Sequence, residues 1–80
     1  NNHYILDSMG WIHFKLGNLD IGLQYIKKAY ATNKDPEIAA HLGEILWTQG
    51  KKEDAEAVWE NSLNRYPSNE VLKETTNRLR

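Results

Sequence analysis

The apolar residues of this chain recur at helical spacing and divide it into five amphipathic segments. Apolar side chains three and four positions apart predict helices over residues 3–16, 19–33, 36–49, 52–65 and 70–79. The run Asp35-Pro36-Glu37 is typical of a helix start, with a capping carboxylate followed by a proline in the first turn. Ser68 is expected to cap the last helix. No segment alternates with the period of a strand, so the pattern predicts an all-α protein.

The chain also repeats its own pattern at an offset of 33 residues. The shared positions are glycines and large apolar residues: Met9-Gly10 with Leu42-Gly43, Phe14 with Trp47, and Gly17 with Gly50. The same offset predicts the start of a third copy, in which Glu37-Ile38 becomes Glu70-Val71. A fixed period in the thirties, with one helix pair in each period, is typical of a stacked helical repeat rather than a single closed globule.

Two glycines fall inside predicted helices, where glycine costs about 1 kcal/mol relative to alanine. Gly10 and Gly43 occupy the same place in the two copies, and we expect a neighbouring helix to approach closely at each. On the first helix, the residues from Ile12 to Leu16 are predicted to form the core stripe, and Trp11 is predicted to lie outside it.

Composition limits the class of protein. Eighty residues form one small domain at most. With 10 basic and 11 acidic side chains, the chain has no net positive charge that would attract nucleic acid. There is no cysteine to form a disulfide, so cysteine usage does not indicate an oxidising or a reducing compartment. No apolar run approaches the roughly 20 residues of a membrane span, so we expect no direct membrane insertion by this segment. The chain lacks an initiating methionine and begins within a helical pattern, so we expect a fragment of a longer protein.

The glycine and aromatic register resembles the tetratricopeptide repeat, a helix–turn–helix unit. The first copy matches at Leu6, Met9-Gly10, Phe14, Gly17, Gly22, Ile26 and Ala29, and the second at Ala39, Leu42-Gly43, Trp47, Gly50, Ala55, Trp59, Ser62 and Pro67. Gly22 and Ser62 replace alanines of that pattern, and Lys34 replaces its proline. The resemblance implies a right-handed α-α superhelix: one domain over residues 1–80, with repeats at about 3–35 and 36–69 and a capping helix at 70–80.

A narrower resemblance concerns the segments 7–11 and 35–44. They are similar to the carboxy-terminal repeats of long proteobacterial tetratricopeptide proteins, often envelope lipoproteins that act as adaptors. This resemblance implies a bacterial protein located on the periplasmic side of the outer membrane or in the cytoplasm.

In this repeat family the first helix of each pair lines a concave face that receives a peptide or a partner helix. By that resemblance, the partner-binding candidates are Tyr4, Asp7, Trp11, Lys15, Glu37, Ala40, Glu44, Thr48, Glu74 and Arg78. Trp11 is the strongest of them because exposed aromatic residues are enriched at interfaces; the alternative is that Trp11 packs internally. The acids among these residues would favour a basic or amide-rich ligand. The basic and amide residues with which some relatives grip a carboxy-terminal carboxylate are replaced here by Asp7, Trp11, His41, Val71 and Thr75.

Nothing in the chain converges on catalysis. The three histidines share no metal-ligand spacing, and neither Ser8 nor Ser62 has a recognisable histidine base. The acids Glu53, Asp54 and Glu56 lie in the first turn of a helix, where the helix dipole accounts for them. We therefore expect no enzyme, no metal and no cofactor.

Two functions follow from these observations. The first is a non-catalytic protein–protein interaction module, a scaffold or adaptor that binds a peptide or partner domain on its concave face. The second is a structural end-piece of a longer solenoid that mediates capping or self-association. The second function is favoured by Tyr4, Ile5 and Met9, which have no preceding repeat to cover them.

Overall fold

A computed structural model describes residues 2–80 as five α-helices joined by short connections. The helices are α1 (His3–Lys15), α2 (Leu19–Thr32), α3 (Pro36–Thr48), α4 (Lys52–Arg65) and α5 (Glu70–Leu79). Residues 2–80 contain no strand, and every predicted helix bound holds to within one residue. The prediction of an all-α helical repeat is confirmed. None of these helices combines the length and the apolar character that crossing a bilayer would require.

Capping side chains determine where α3 and α5 begin. Asp35 caps α3 as predicted, because its carboxylate accepts the backbone N–H of Glu37 at 2.8 Å and that of Ile38 at 3.4 Å. The prediction of Ser68 as the cap of α5 is wrong. The neighbouring Asn69 caps it instead, accepting the N–H of Leu72 at 2.9 Å.

The third copy of the repeat is shifted by one residue from the predicted register. The N-caps Asn2 and Asp35 are 33 residues apart, but Asn69 follows Asp35 by 34. The cause is the connection between α4 and α5, which has four residues where the connection between α2 and α3 has three. Consequently Leu72 is fully buried, whereas the predicted equivalent, Val71, is 37% exposed.

Glycine permits close helix crossing at the two places predicted. A Cβ atom at Gly10 would overlap Ile26 and lie 2.8 Å from the carbonyl oxygen of Gly22, so α1 and α2 touch at their backbones. A Cβ atom at Gly43 would overlap the indole of Trp59 on α4. Each helix pair is therefore held together at a glycine of its first helix.

The helices form two layers around a core centred on α3. The first-helix layer is continuous, because α3 contacts both α1 and α5, whereas the backbones of the second helices α2 and α4 do not approach each other closely. The first helices α1, α3 and α5 therefore form one continuous layer of the stack. The core is apolar and consists mainly of Leu23, Ile26, Ala29, Ile38, Leu42, Ile45, Leu46, Ala55, Trp59 and Leu72.

The predicted core stripe of α1 is wrong for its two ends. Ile12 and Leu16 are 59% and 70% exposed, while Phe14 packs against the core and Trp11 is partly buried. The physical reason is that α1 carries apolar residues on two sides. One side packs against α2, and among residues 2–80 no helix covers the other.

Candidate functional site

The ten residues predicted to bind a partner lie on the first helices α1, α3 and α5, and the structure divides them by exposure. Six are exposed at the surface, namely Tyr4, Lys15, Glu37, Thr48, Glu74 and Arg78. Asp7 and Trp11 are partly buried. Ala40 and Glu44 are buried, and the methyl group of Ala40 offers no surface to a partner. We call the surface formed by the six exposed residues, the partly buried Asp7 and Trp11, and His41 the inner face.

The half of the inner face between α1 and α3 is built around His41. The His41 ring stacks on Trp11 with a centroid separation of 4.0 Å, and its Nδ1 lies 2.8 Å from Oδ1 of Asp7. Lys15 places its ammonium group 5.0 Å from the centre of the Trp11 ring, a cation–π arrangement. The sequence left open whether Trp11 is exposed to a partner or packs internally. In the structure one part of its ring packs and another part reaches solvent.

The half between α3 and α5 is built around Arg78. Its guanidinium donates to both carboxylate oxygens of Glu44, at 2.8 and 3.3 Å, and to Glu74 at 3.0 Å. The hydrogen bonds to Glu44 and then Glu74 raise the pKa of Arg78 above its already high usual value. Because Glu44 is only 8% exposed, its charge is compensated inside this contact rather than offered to a ligand.

These contacts change the expected electrostatics of the inner face. Three of the four acids predicted to bind a partner have side-chain partners: Asp7 with His41, and the buried Glu44 and the exposed Glu74 with Arg78. Among residues 2–80, Glu37 is the inner-face acid that makes no ion pair with a basic side chain. The face is therefore less acidic toward a ligand than the bare sequence indicates.

His41 is the inner-face residue that the sequence reasoning missed as a candidate. A signal was present: the contacts Asp7–His41 and Glu44–Arg78 both join residues 34 positions apart. Each first helix thus reaches the next one at an offset one residue longer than the 33-residue register of the first two copies. Matching hydrogen-bonding side chains at that offset would have identified both contacts.

The remaining chemistry-bearing side chains are dispersed. Within the described part of the chain, no three histidine or acidic side chains lie close enough together to hold a metal ion. His13 is partly buried and stacks on Tyr25 with a centroid separation of 5.6 Å. The buried hydroxyl of Ser62 occupies a packing position on α4 and has no histidine beside it.

Comparison with known proteins relates part of the chain to a repeat protein. No protein-family model matches the chain. Over 40 residues the chain is 50% identical to the TPR repeat-containing protein PA4667 of Pseudomonas aeruginosa, and the matched segment is 50% of this chain and 7% of the relative. The helix pairs and their stacking define a helical-repeat protein of the α-α type. Together with this sequence match, they support assignment of the chain to the tetratricopeptide repeat family.

Proposed function

We propose that this chain is a non-catalytic protein-interaction module that binds a peptide or a partner domain on its inner face. The observation that carries the proposal is that the face is ordered by its own side-chain contacts. Asp7–His41 joins α1 to α3, and Glu44–Arg78 joins α3 to α5. A surface already held in place loses little conformational entropy when a partner binds, so more of the contact energy appears as affinity.

The exposed groups of the inner face define the chemistry of the ligand. Trp11 and His41 form an aromatic platform suited to an apolar or amide-bearing side chain. Glu37 lies one turn before His41 on α3 and carries a carboxylate free to pair with a lysine or arginine. We infer a ligand with a basic residue next to an apolar or aromatic one.

Titration with peptides tests the inner face directly. Peptides selected for binding from a random library would be titrated by calorimetry against the native chain and the variants Trp11→Ala and Glu37→Lys. Each variant should weaken a basic, aromatic peptide by about tenfold or more, the loss expected for a central interface residue. Lys27→Ala on the exposed side of α2 is the control and should bind like the native chain. Unchanged affinity in both inner-face variants would refute the proposal.

A second candidate function rests on a different surface. Ile5, Met9 and Ile12 of α1, with its C-cap residue Leu16, form an exposed apolar row, which we call the outer stripe. Such a row supports a role as the end-piece of a longer solenoid, or in self-association. Either role leaves the inner face free, so the two candidate functions are compatible.

A further inference from the structure

The outer stripe has an internal counterpart that shows what kind of surface covers it. Ile38, Leu42 and Ile45 stand 33 residues after Ile5, Met9 and Ile12, and they are at most 5% exposed. Of the preceding helix pair, α2 packs closely against α3. A hydrogen bond of 2.9 Å from Gln49 at the end of α3 to Asp20 at the start of α2 fixes the two helices as antiparallel. The repeat therefore uses this position to receive an antiparallel helix.

We propose that the outer stripe pairs with the outer stripe of a second copy of this chain, with the two α1 helices antiparallel. The stripe residues are separated by four, three and four positions, a spacing that reads the same in both directions. Reversal therefore places Ile5 opposite Leu16 of the second copy and Met9 opposite Ile12. An alternation of three and four residues is the spacing of apolar side chains between two helices that pack as a left-handed coiled coil. The axes of such helices cross at about 20°.

The surroundings of the stripe favour this partner over other parts of a second copy. The far end of the stack is the outward side of α5, which is polar apart from Val71. A head-to-tail contact would set the apolar stripe against those polar groups, whereas pairing α1 with α1 matches apolar to apolar and closes at two copies.

Charge does not oppose the pairing. The residues beside the stripe are Ser8 and His13, which reversal places opposite each other, and Lys15 turns toward Trp11. The α1 residues beside the stripe therefore place no pair of like charges opposite each other.

The proposed dimer is weak. Four side chains that are between 39% and 70% exposed supply its apolar area on each chain. One helix against one helix falls among interfaces smaller than about 1,200 Å² in total, which are typical of transient association. We expect a dissociation constant in the micromolar range. The contact specifies the self-association proposed above but does not involve the inner face.

Sedimentation equilibrium from micromolar to millimolar concentration tests the proposal. The native chain should shift toward twice its monomer mass, and Ile12→Glu should raise the dissociation constant at least about tenfold, because the glutamate would be buried in an apolar seam. Val71→Glu is the matched control: it makes the same kind of change on α5 and should dimerise like the native chain. A native chain that stays monomeric throughout, or an Ile12→Glu variant that dimerises normally, overturns the proposal.

Cysteine cross-linking tests the relative orientation of the two α1 helices. Because the native sequence has no cysteine, each introduced cysteine is the only thiol of its chain. In the antiparallel dimer, Ile5 lies about 16 Å along the axis from Ile5 of the second copy, too far for a disulfide. A mixture of Ile5→Cys and Leu16→Cys chains should therefore form the mixed disulfide much faster than either variant cross-links alone. Preferential cross-linking of each variant with itself overturns the antiparallel arrangement. Peptide binding by Ile12→Glu separates this test from that of the inner face, since the variant should bind peptide like the native chain.

Discussion

The contact between Gly43 and Trp59 allows a sharp test of how the second helix pair is held together. Trp59 is fully buried, and its indole N–H already donates to the carbonyl oxygen of Ala40 at 3.5 Å. A Cβ atom at Gly43 would overlap the pyrrole edge of that indole, coming within 2.6 Å of its Cδ1 atom. Even the smallest substitution, Gly43→Ala, must therefore move either the indole or the whole of α4.

The size of the effect follows from two opposing contributions. Alanine in place of glycine inside a helix stabilises by about 1 kcal/mol. Overpacking a filled core costs about 1–3 kcal/mol, and the contact with three ring atoms of a fully buried tryptophan places this site at the upper end of that range. The net loss should be about 2 kcal/mol. For a domain of this size that loss lowers Tm by about 8–16 °C.

Urea unfolding followed by far-UV circular dichroism measures the loss, and a second background tests its cause. Leucine lacks counterparts of Nε1 and Cε2, the two ring atoms nearest to the added Cβ atom, so in a Trp59→Leu chain the change Gly43→Ala should stabilise by about 1 kcal/mol, the helix propensity alone. Gly43→Ala variants that are more stable than their parents in both backgrounds would refute the close-contact reasoning.

Two further predictions concern the helix caps and alkaline pH. Asp35→Ala should cost about 1 kcal/mol in urea unfolding because it removes both capping bonds of α3, whereas Asn18→Ala should cost almost nothing because the Asn18 side chain makes no capping bond; equal losses would contradict this account. Burial raises the pKa of Tyr30 above its usual value of 10, so folding favours the protonated phenol and stability should fall as pH rises through about 10. Tyr30→Phe should lose less stability than the native chain between pH 9 and 11, and an identical decline in the two chains would contradict this cause.

The sequence predicted the helices and their close crossings well because those signals are local. Asp35 before Pro36 determines where α3 begins, whatever the rest of the chain does. Gly10 and Gly43 interrupt good helical patterns at equivalent places, and only close approach of a second helix accounts for both.

The misplaced residues depend on what lies outside their own helix. Ile12 and Leu16 have helical spacing, but spacing does not reveal whether another helix covers that side of α1. The 33-residue offset matches Ile38 with Val71 instead of Leu72, because a fixed offset cannot anticipate one extra residue between α4 and α5. On the inner face, His41 was missed because its contacts with Asp7 and Trp11 cross from one helix pair to the next.

The contacts between successive first helices also determine the order in which the units can be joined. At the first junction Asp7 meets His41, and at the second Glu44 meets Arg78. If the α1–α2 unit were duplicated in tandem, Asp7 would face the Ser8 of the inserted copy, because Ser8 stands where His41 stands in the second unit. The duplicate would lack the imidazole partner at that seam. Neighbouring units are therefore not interchangeable, because the first helix of each unit pairs with particular side chains of the unit that follows it.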